Sequence, residues 1–408
     1  MSPAPWQMPA PAVSRPTLRR FRSGRDFHRA LTIEELREIA RRNTPAFAFE
    51  YVEGGSEDEA TLRRNREAFA DWRFRPRVLV DTAERHLRTE LFGRATELPL
   101  VIAPTGLNGM LWPDADVALA RAASAHGIPF TLSTVSNARV ERVAGVAGAR
   151  TWMQLYVLNA RKITEDILAR ASAAGCEALV FTVDTNIFGG REWDQRHYRA
   201  PGKLSARSLL DAAMHPRWAA RILWPRGIPR FENIAEHLPP AARSARGGVT
   251  VIPRLFSPTI SWDDVAWLRD AWHGRLLIKG VLSAEDAVRA AGLGCDGIVV
   301  SNHGGRQLDS CVSPMDVLPD IVAAAGDRLV VLVDSGFRRG TDVLKALALG
   351  ADAVMLGRAT LYGLAAGGEA GATHALRILR DEMLRALGLL GCRSVEELGP
   401  HLLQRPGS

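Results

Sequence analysis

The stretch Gly297-Ile298-Val299-Val300-Ser301-Asn302-His303-Gly304-Gly305-Arg306-Gln307-Leu308-Asp309 decides how this chain is read. Its opening residues are apolar and mostly β-branched, the mark of a short buried strand. The strand runs straight into a histidine, two glycines and an arginine. An imidazole and a guanidinium therefore share one loop at a strand's C-terminal end. Imidazole accepts a proton near neutral pH. Guanidinium grips a carboxylate through two parallel hydrogen bonds. The glycines let backbone approach a flat ligand or take positive φ. A base beside a carboxylate clamp points to proton abstraction next to a carboxylate. An isolated His-x-x-Arg is more often an ordinary loop, so the surrounding chain has to supply the weight.

It does so through a repeat. Short apolar runs alternate with helical stretches from Leu98 onward: Leu98–Pro104, Phe130–Ser133, Thr151–Tyr156, Ala178–Asp184, Arg275–Gly280, Gly297–Asn302, Leu329–Ser335 and Ala353–Gly357. Helices are predicted between them at Asp114–Gly127, Ala160–Gly175, Ser283–Gly294 and Gly340–Gly350. Eight strand–helix units predict an α/β fold, a (β/α)8 barrel. A doubly wound sheet would want a Gly-rich fingerprint after the first strand, and Ala103-Pro104-Thr105-Gly106 is not one. The runs end in polar or glycine-bearing residues, and in a barrel those ends converge on one face. The last two ends, Asp334-Ser335-Gly336-Phe337-Arg338-Arg339-Gly340 and Gly357-Arg358, suit a phosphate cradle of backbone N–H groups and arginines. Lys279 points into the same mouth, where a cation offsets negative charge on a bound ring.

The remainder sets limits. The chain has 408 residues, 47% hydrophobic and 24% charged, with a net charge of +7. That is ordinary globular composition with length for a large core. No nucleic-acid motif accompanies the basic charge. Cys176, Cys295, Cys311 and Cys392 lack paired spacing, which predicts a reducing, cytoplasmic setting and no metal site. No apolar run reaches the ~18 residues of a spanning helix. Residues 1–25 are rich in Pro, Ala, Ser and Arg and read as a flexible basic tail; 26–408 read as the barrel. Thr32 is a predicted helix N-cap with Glu35 completing a capping box, and a second helix follows Pro45 and stops at Gly54-Gly55.

The connection from about Glu192 to Ser261 is too long for a regular repeat. Within 201–230, Lys203, Arg207, Arg217, Arg221, Arg226 and Arg230 face one acid, Asp211. Leu210, Met214, Trp218 and Ile222 recur every fourth residue, with Leu223 and Trp224 following. Such a segment is either a lid on the barrel mouth or a helix lying on a membrane surface. Pro216 would kink a continuous helix.

Ser301-Asn302-His303-Gly304-Gly305-Arg306-Gln307-Leu308-Asp309 resembles the signature of the FMN-dependent α-hydroxy acid oxidase and dehydrogenase family. Gly54-Gly55, Gln154-Leu155-Tyr156, Thr182-Val183-Asp184, Gly190-Arg191-Glu192, Lys279-Gly280 and Leu356-Gly357-Arg358 match in order, so the resemblance runs from Thr32 to Arg405. It implies FMN as cofactor and oxidation of a 2-hydroxy acid. By that resemblance His303 is the base, Asp184 its orienting carboxylate, Arg306 and Arg191 the clamp, and Tyr51 and Tyr156 the phenols on substrate. Lys279 would neighbour the flavin ring. Ser133, Gln154, Thr182, Ser301 and the Pro104, Thr105, Gly106 backbone would hold the ring. Asp334, Ser335, Gly336, Arg338, Gly357 and Arg358 would hold ribityl and phosphate.

Within the family, Pro104–Pro113 and Gly357–Ala366 are most similar to the (S)-mandelate dehydrogenase branch, with quinone-linked L-lactate dehydrogenases the rival. Gly106 and Val135 stand where glycolate oxidase has Ala and Trp, which implies room for an aryl acid. The electron acceptor is a quinone or O2, the latter making an oxidase that releases peroxide. The basic insert favours quinone and a peripheral position on the inner face of the cytoplasmic membrane. The resemblance also implies a homotetramer. A catalytically silent flavin-binding scaffold is the alternative of a different class.

Overall fold

The computed structural model describes residues 24–405 apart from 201, 225 and 226. The predicted tail at 1–25 lies almost wholly outside the described residues, as does Arg226. Eight parallel strands close into a barrel: β1 Leu100–Ile102, β2 Pro129–Leu132, β3 Arg150–Leu155, β4 Ala178–Thr182, β5 Arg275–Val281, β6 Gly297–Val300, β7 Val330–Val333 and β8 Ala353–Leu356. Each lies within or overlaps a run predicted from sequence. Neighbours in sequence are neighbours in space, and β8 closes on β1 through Met355 opposite Val101.

The strands show why the runs looked uniformly apolar. Both of their faces are buried, as parallel sheets require. Val101, Trp152, Val180, Leu277, Val299, Leu332 and Met355 fill the barrel interior. Their alternates, among them Leu100, Ile298, Val300, Val331 and Val354, pack outward against the helices. Helices follow every strand; those at Ala115–Ser124, Arg161–Ala173, Ala284–Gly292 and Gly340–Ala348 lie inside the predicted spans. Ser261, Ser283 and Ser313 cap three of the helices by accepting a backbone N–H.

The sequence did not announce the barrel's floor. Thr89–Leu91 and Arg94–Thr96 pair as a hairpin that puts Leu91 into the interior and Phe92 against Trp152. Thr32 caps Ile33–Asn43 as predicted, but Glu35 accepts from Leu31 N at 2.6 Å, so the capping box is displaced by one residue.

The long connection after β4 holds a two-stranded hairpin, Tyr198–Ala200 with Lys203–Leu204, and helices Ala206–Ala213, Pro216–Leu223 and Ala245–Val251. Pro216 occupies the first turn of its helix, so two helices meet at His215 rather than one helix bending there. The predicted apolar stripe divides accordingly. Trp218 and Ile222 turn inward, Trp218 donating to Met110 O at 2.8 Å, while Leu210, Met214 and Trp224 stay exposed. Asp211 accepts from Ala46 N at 2.6 Å. It thus caps helix Ala46–Glu53, which Pro45 cannot cap.

Candidate active site

At the C-terminal ends of the strands lies a cavity of about 320 Å3. His303, Arg306, Arg191, Tyr51, Tyr156 and Lys279 all line it. They come from β6, β5, β3, the loop after β4 and an N-terminal helix, so closure of the barrel brings them together.

His303 sits just past β6 in the left-handed region, at φ 57°. A non-glycine residue held there is strained and marks a constrained site. Its N–H donates to Ser301 Oγ at 3.0 Å, and its Nδ1 lies 2.9 Å from Asp184 Oδ1. The carboxylate fixes the proton on Nδ1 and leaves Nε2 as acceptor. Burial lowers the imidazole's pKa and Lys279 adds to that; Asp184 opposes it, and the net position is below the ordinary value. Neutral imidazole is the form a base needs. Burial pushes the Asp184 carboxyl up, but His303 and Lys279 more than offset this, so it stays ionised. Asp184→Asn removes the carboxylate that raises the imidazole's pKa, so the acid limb of kcat/KM is expected to move down by about 1–3 pH units. A pH–rate profile reads this, and an unmoved limb would deny the coupling.

The other wall is cationic. Arg306 donates to Tyr51 O and Gly54 O, each at 2.8 Å, which anchors it beneath helix Ala46–Glu53. Burial, then neighbouring Arg191 and Arg358, depresses its pKa. Arg191 Nε is buried without a hydrogen-bond partner. Two half-buried guanidiniums side by side, one with an orphan buried donor, form a site that calls for an anion.

The polar floor runs around the barrel top. Ser133 Oγ donates to Gln154 Oε1 at 3.2 Å, and Gln154 Nε2 to Thr182 Oγ1 at 3.1 Å. Lys279 Nζ lies 2.8 Å from Ser301 Oγ and 2.9 Å from Asp334 Oδ2. Burial acts to lower the Lys279 pKa, yet Asp334 and Asp184 hold it above its ordinary value, so the ammonium stays charged. Beyond Asp334, the Ser335–Arg338 loop and the uncapped start of helix Arg358–Leu389 open into the cavity. Uncapped helix N–H groups favour an anion. On the opposite side an aromatic wall closes the mouth. Tyr156 packs on Phe256 at 4.5 Å, and Phe256 on Phe188 at 5.1 Å, so the insert supplies part of the pocket.

A family model described as FMN-dependent dehydrogenase matches residues 40–405. The chain belongs to the FMN-dependent dehydrogenase family. It is 44% identical over 376 residues to (S)-mandelate dehydrogenase of Pseudomonas putida, covering 92% of this chain and 94% of that one. It is 45% identical to an L-lactate dehydrogenase of Caulobacter vibrioides over 372 residues, 90% of this chain and 96% of the relative. The crystal structure of the monotopic membrane protein (S)-mandelate dehydrogenase superposes with a TM-score of 0.88 at 43% identity, covering 93% of this chain and 100% of that one.

The geometry suits the cofactor of an FMN-dependent dehydrogenase. Pro104, Thr105, Gly106, Ser133 and Lys279 line one part of the cavity and would border a bound ring, and Asp334–Arg338 with Gly357 would hold its phosphate. Gln154, Thr182 and Ser301 do not line the cavity; they are buried beneath it and hold its floor in place. Arg358 lines the same cavity. Its Nε, Nη1 and Nη2 donate to Val52 O, Gly304 O and Gly54 O at 2.8, 2.8 and 3.0 Å. Those bonds pin the glycine loop to helix Ala46–Glu53 and use three of the five guanidinium N–H groups, so Nη1 and Nη2 each keep one for a bound phosphate.

Three residues had no role assigned from sequence. Gln307 Nε2 donates to Asp184 O at 2.6 Å and Ile187 O at 2.9 Å, joining the loop of the base to the loop of its partner. Asp309 accepts from Ala60 N and Thr61 N, tying the same loop to helix Ala60–Glu67. Asp194 Oδ1 is buried without a partner beside Arg191 and Arg306. Gln307 and Asp309 were visible as members of the motif; only the folded loop discloses their partners. Gly305, at φ 73°, shows why the motif needs glycine: a Cβ would lie 2.7 Å from Leu62 N.

Proposed function

We propose that this FMN-dependent dehydrogenase oxidises an (S)-2-hydroxy acid carrying an aryl or similarly bulky apolar group, with (S)-mandelate the reference substrate, to the 2-oxo acid. The observation that carries the reading is one cavity with a neutral, carboxylate-oriented His303 on one wall and a half-buried guanidinium pair on another. FMN, when bound, supplies the two-electron acceptor. Arg306 and Arg191 fix the substrate carboxylate, which satisfies the orphan donor on Arg191 and turns the hydroxyl-bearing carbon toward the base. His303 Nε2 takes the proton, and Asp184 stabilises the imidazolium that forms. Tyr51 and Tyr156 present phenols to the carboxylate and hydroxyl. Burial raises the pKa of both phenols, so they remain hydrogen-bond donors. Orientation and charge stabilisation together can supply many kcal/mol of rate.

Substrate size turns on Gly106 and Val135. Val135 leans into the space that Gly106 leaves: a Cβ on Gly106 would meet Val135 Cγ2 at 2.6 Å. Gly106→Ala therefore displaces Val135. The Phe256–Tyr156–Phe188 wall supports a planar substituent, whereas the partial filling by Val135 and the Caulobacter relatives favour L-lactate as the second reading. The test is the ratio of kcat/KM for (S)-mandelate over L-lactate. It is expected to favour mandelate in the native chain and to fall by about 10–200-fold in Gly106→Ala. A native preference for lactate would make the second reading the correct one.

The proposed acceptor is a membrane quinone rather than O2. Support comes from Leu209, Leu210, Met214, Leu223 and Trp224, exposed on a segment that also exposes Arg207 and Arg217. Among the described residues no helix is long and apolar enough to cross a membrane. Peripheral attachment to the inner face of the cytoplasmic membrane is the arrangement we propose, with a homotetramer supported by family resemblance.

A further inference from the structure

A second cavity of about 770 Å3 lies against the first, between the insert and helix Ala46–Glu53. Tyr51, Leu107 and Asp194 line both. Its body is apolar, floored by Phe47, Met110 and Trp218. Its rim carries Leu209, Leu223 and Ile228, which are 56%, 44% and 43% exposed. Polar groups gather at the inner end, where Tyr198 faces Asp194, whose buried Oδ1 has no partner. A hydroxy acid small enough for the first cavity has no use for this chamber.

We propose that this chamber binds the headgroup and first prenyl units of a lipophilic quinone, with its ring carbonyls toward Tyr198 and Asp194 and its tail leaving over the exposed rim at Leu209. The inference rests on the dehydrogenase reading above and deepens it by giving the acceptor a site. Volume, apolar walls and few convergent polar groups fit a planar prenylated ligand. A lipid acyl chain would fill the apolar part but leave the polar end unanswered. The balance is simple: the hydroxy acid loses two electrons and two protons to become the oxo acid, and the quinone gains both pairs to become hydroquinone. Asp194 and Tyr198 line the chamber and would deliver those protons.

The experiment uses the FMN-loaded enzyme and a photoactivatable azidoquinone with a short prenyl tail. Label is expected on residues lining the chamber, displaced by unlabelled short-chain ubiquinone. Ala212 lines the chamber and has no part in the hydroxy acid site. Ala212→Trp is expected to cut both labelling and quinone turnover about tenfold or more, while anaerobic flavin bleaching by (S)-mandelate stays unchanged. Ile228→Glu at the rim is the second variant, expected to raise KM for quinone with bleaching unchanged. Label outside the chamber, displacement by a long-chain 2-hydroxy acid or a fatty acid rather than by quinone, or full quinone turnover in both variants would overturn the assignment. Loss of bleaching with every 2-hydroxy acid would instead refute the dehydrogenase reading, so the two failures are separable.

Discussion

His303→Asn is expected to lower kcat by about 10²–10⁴-fold while the protein keeps its yellow cofactor. Asparagine suits the test because it tolerates the left-handed backbone at φ 57°, where alanine would add strain, and its amide cannot take the proton. The cofactor should stay because its floor rests on other residues: Lys279 between Ser301 and Asp334, and Ser133 through Gln154 to Thr182. Turnover in air with a dye acceptor, together with the flavin spectrum of the purified variant, checks both halves. Near-native turnover would remove His303 from the role of base. Loss of flavin would show that its loop is part of the cradle.

Arg306→Lys should cost about 2–4 kcal/mol in transition-state binding, or ~30–1,000-fold in kcat/KM. A guanidinium can keep its bonds to Tyr51 O and Gly54 O and still offer its remaining N–H groups to a carboxylate. An ammonium has three donors on a point charge and cannot do both. The cost should therefore exceed that of an exposed ion pair. Steady-state kinetics with (S)-mandelate reads it, and a loss below tenfold would mean that Arg191 carries the clamp alone.

How legible the molecule was depended on how local each cause is. Eight strands could be read because a strand buried on both faces is a continuous apolar run, and Gly297–Val300 or Val330–Val333 need no partner to declare themselves. His303, Arg306 and Lys279 stood out because barrel topology gathers strand ends, whereas Tyr51 and Arg191, on a helix and a loop, came only from the family resemblance. What escaped depends on contacts between distant segments. The Phe92–Gly93 turn, with both φ positive, makes a hairpin whose purpose, plugging the barrel with Leu91, appears only after closure. Trp218 and Met214 are four residues apart, yet the break at His215–Pro216 sends one inward and leaves the other in solvent. Arg358 lies in the expected loop, and its bonds to Val52 O and Gly54 O, far away in sequence, appear only in the folded chain. Asp194 carries no motif that marks it in the sequence; its position between two cavities is a property of the fold.

The most direct test of the whole account is a single anaerobic mixing of the purified native protein and its His303→Asn variant with (S)-mandelate, followed by flavin absorbance. The native protein should lose its yellow colour as the 2-oxo acid forms, and the variant should stay yellow on the same timescale. Equal bleaching of the two, or a native protein that no 2-hydroxy acid bleaches, would contradict a base held by Asp184 opposite a pair of guanidiniums.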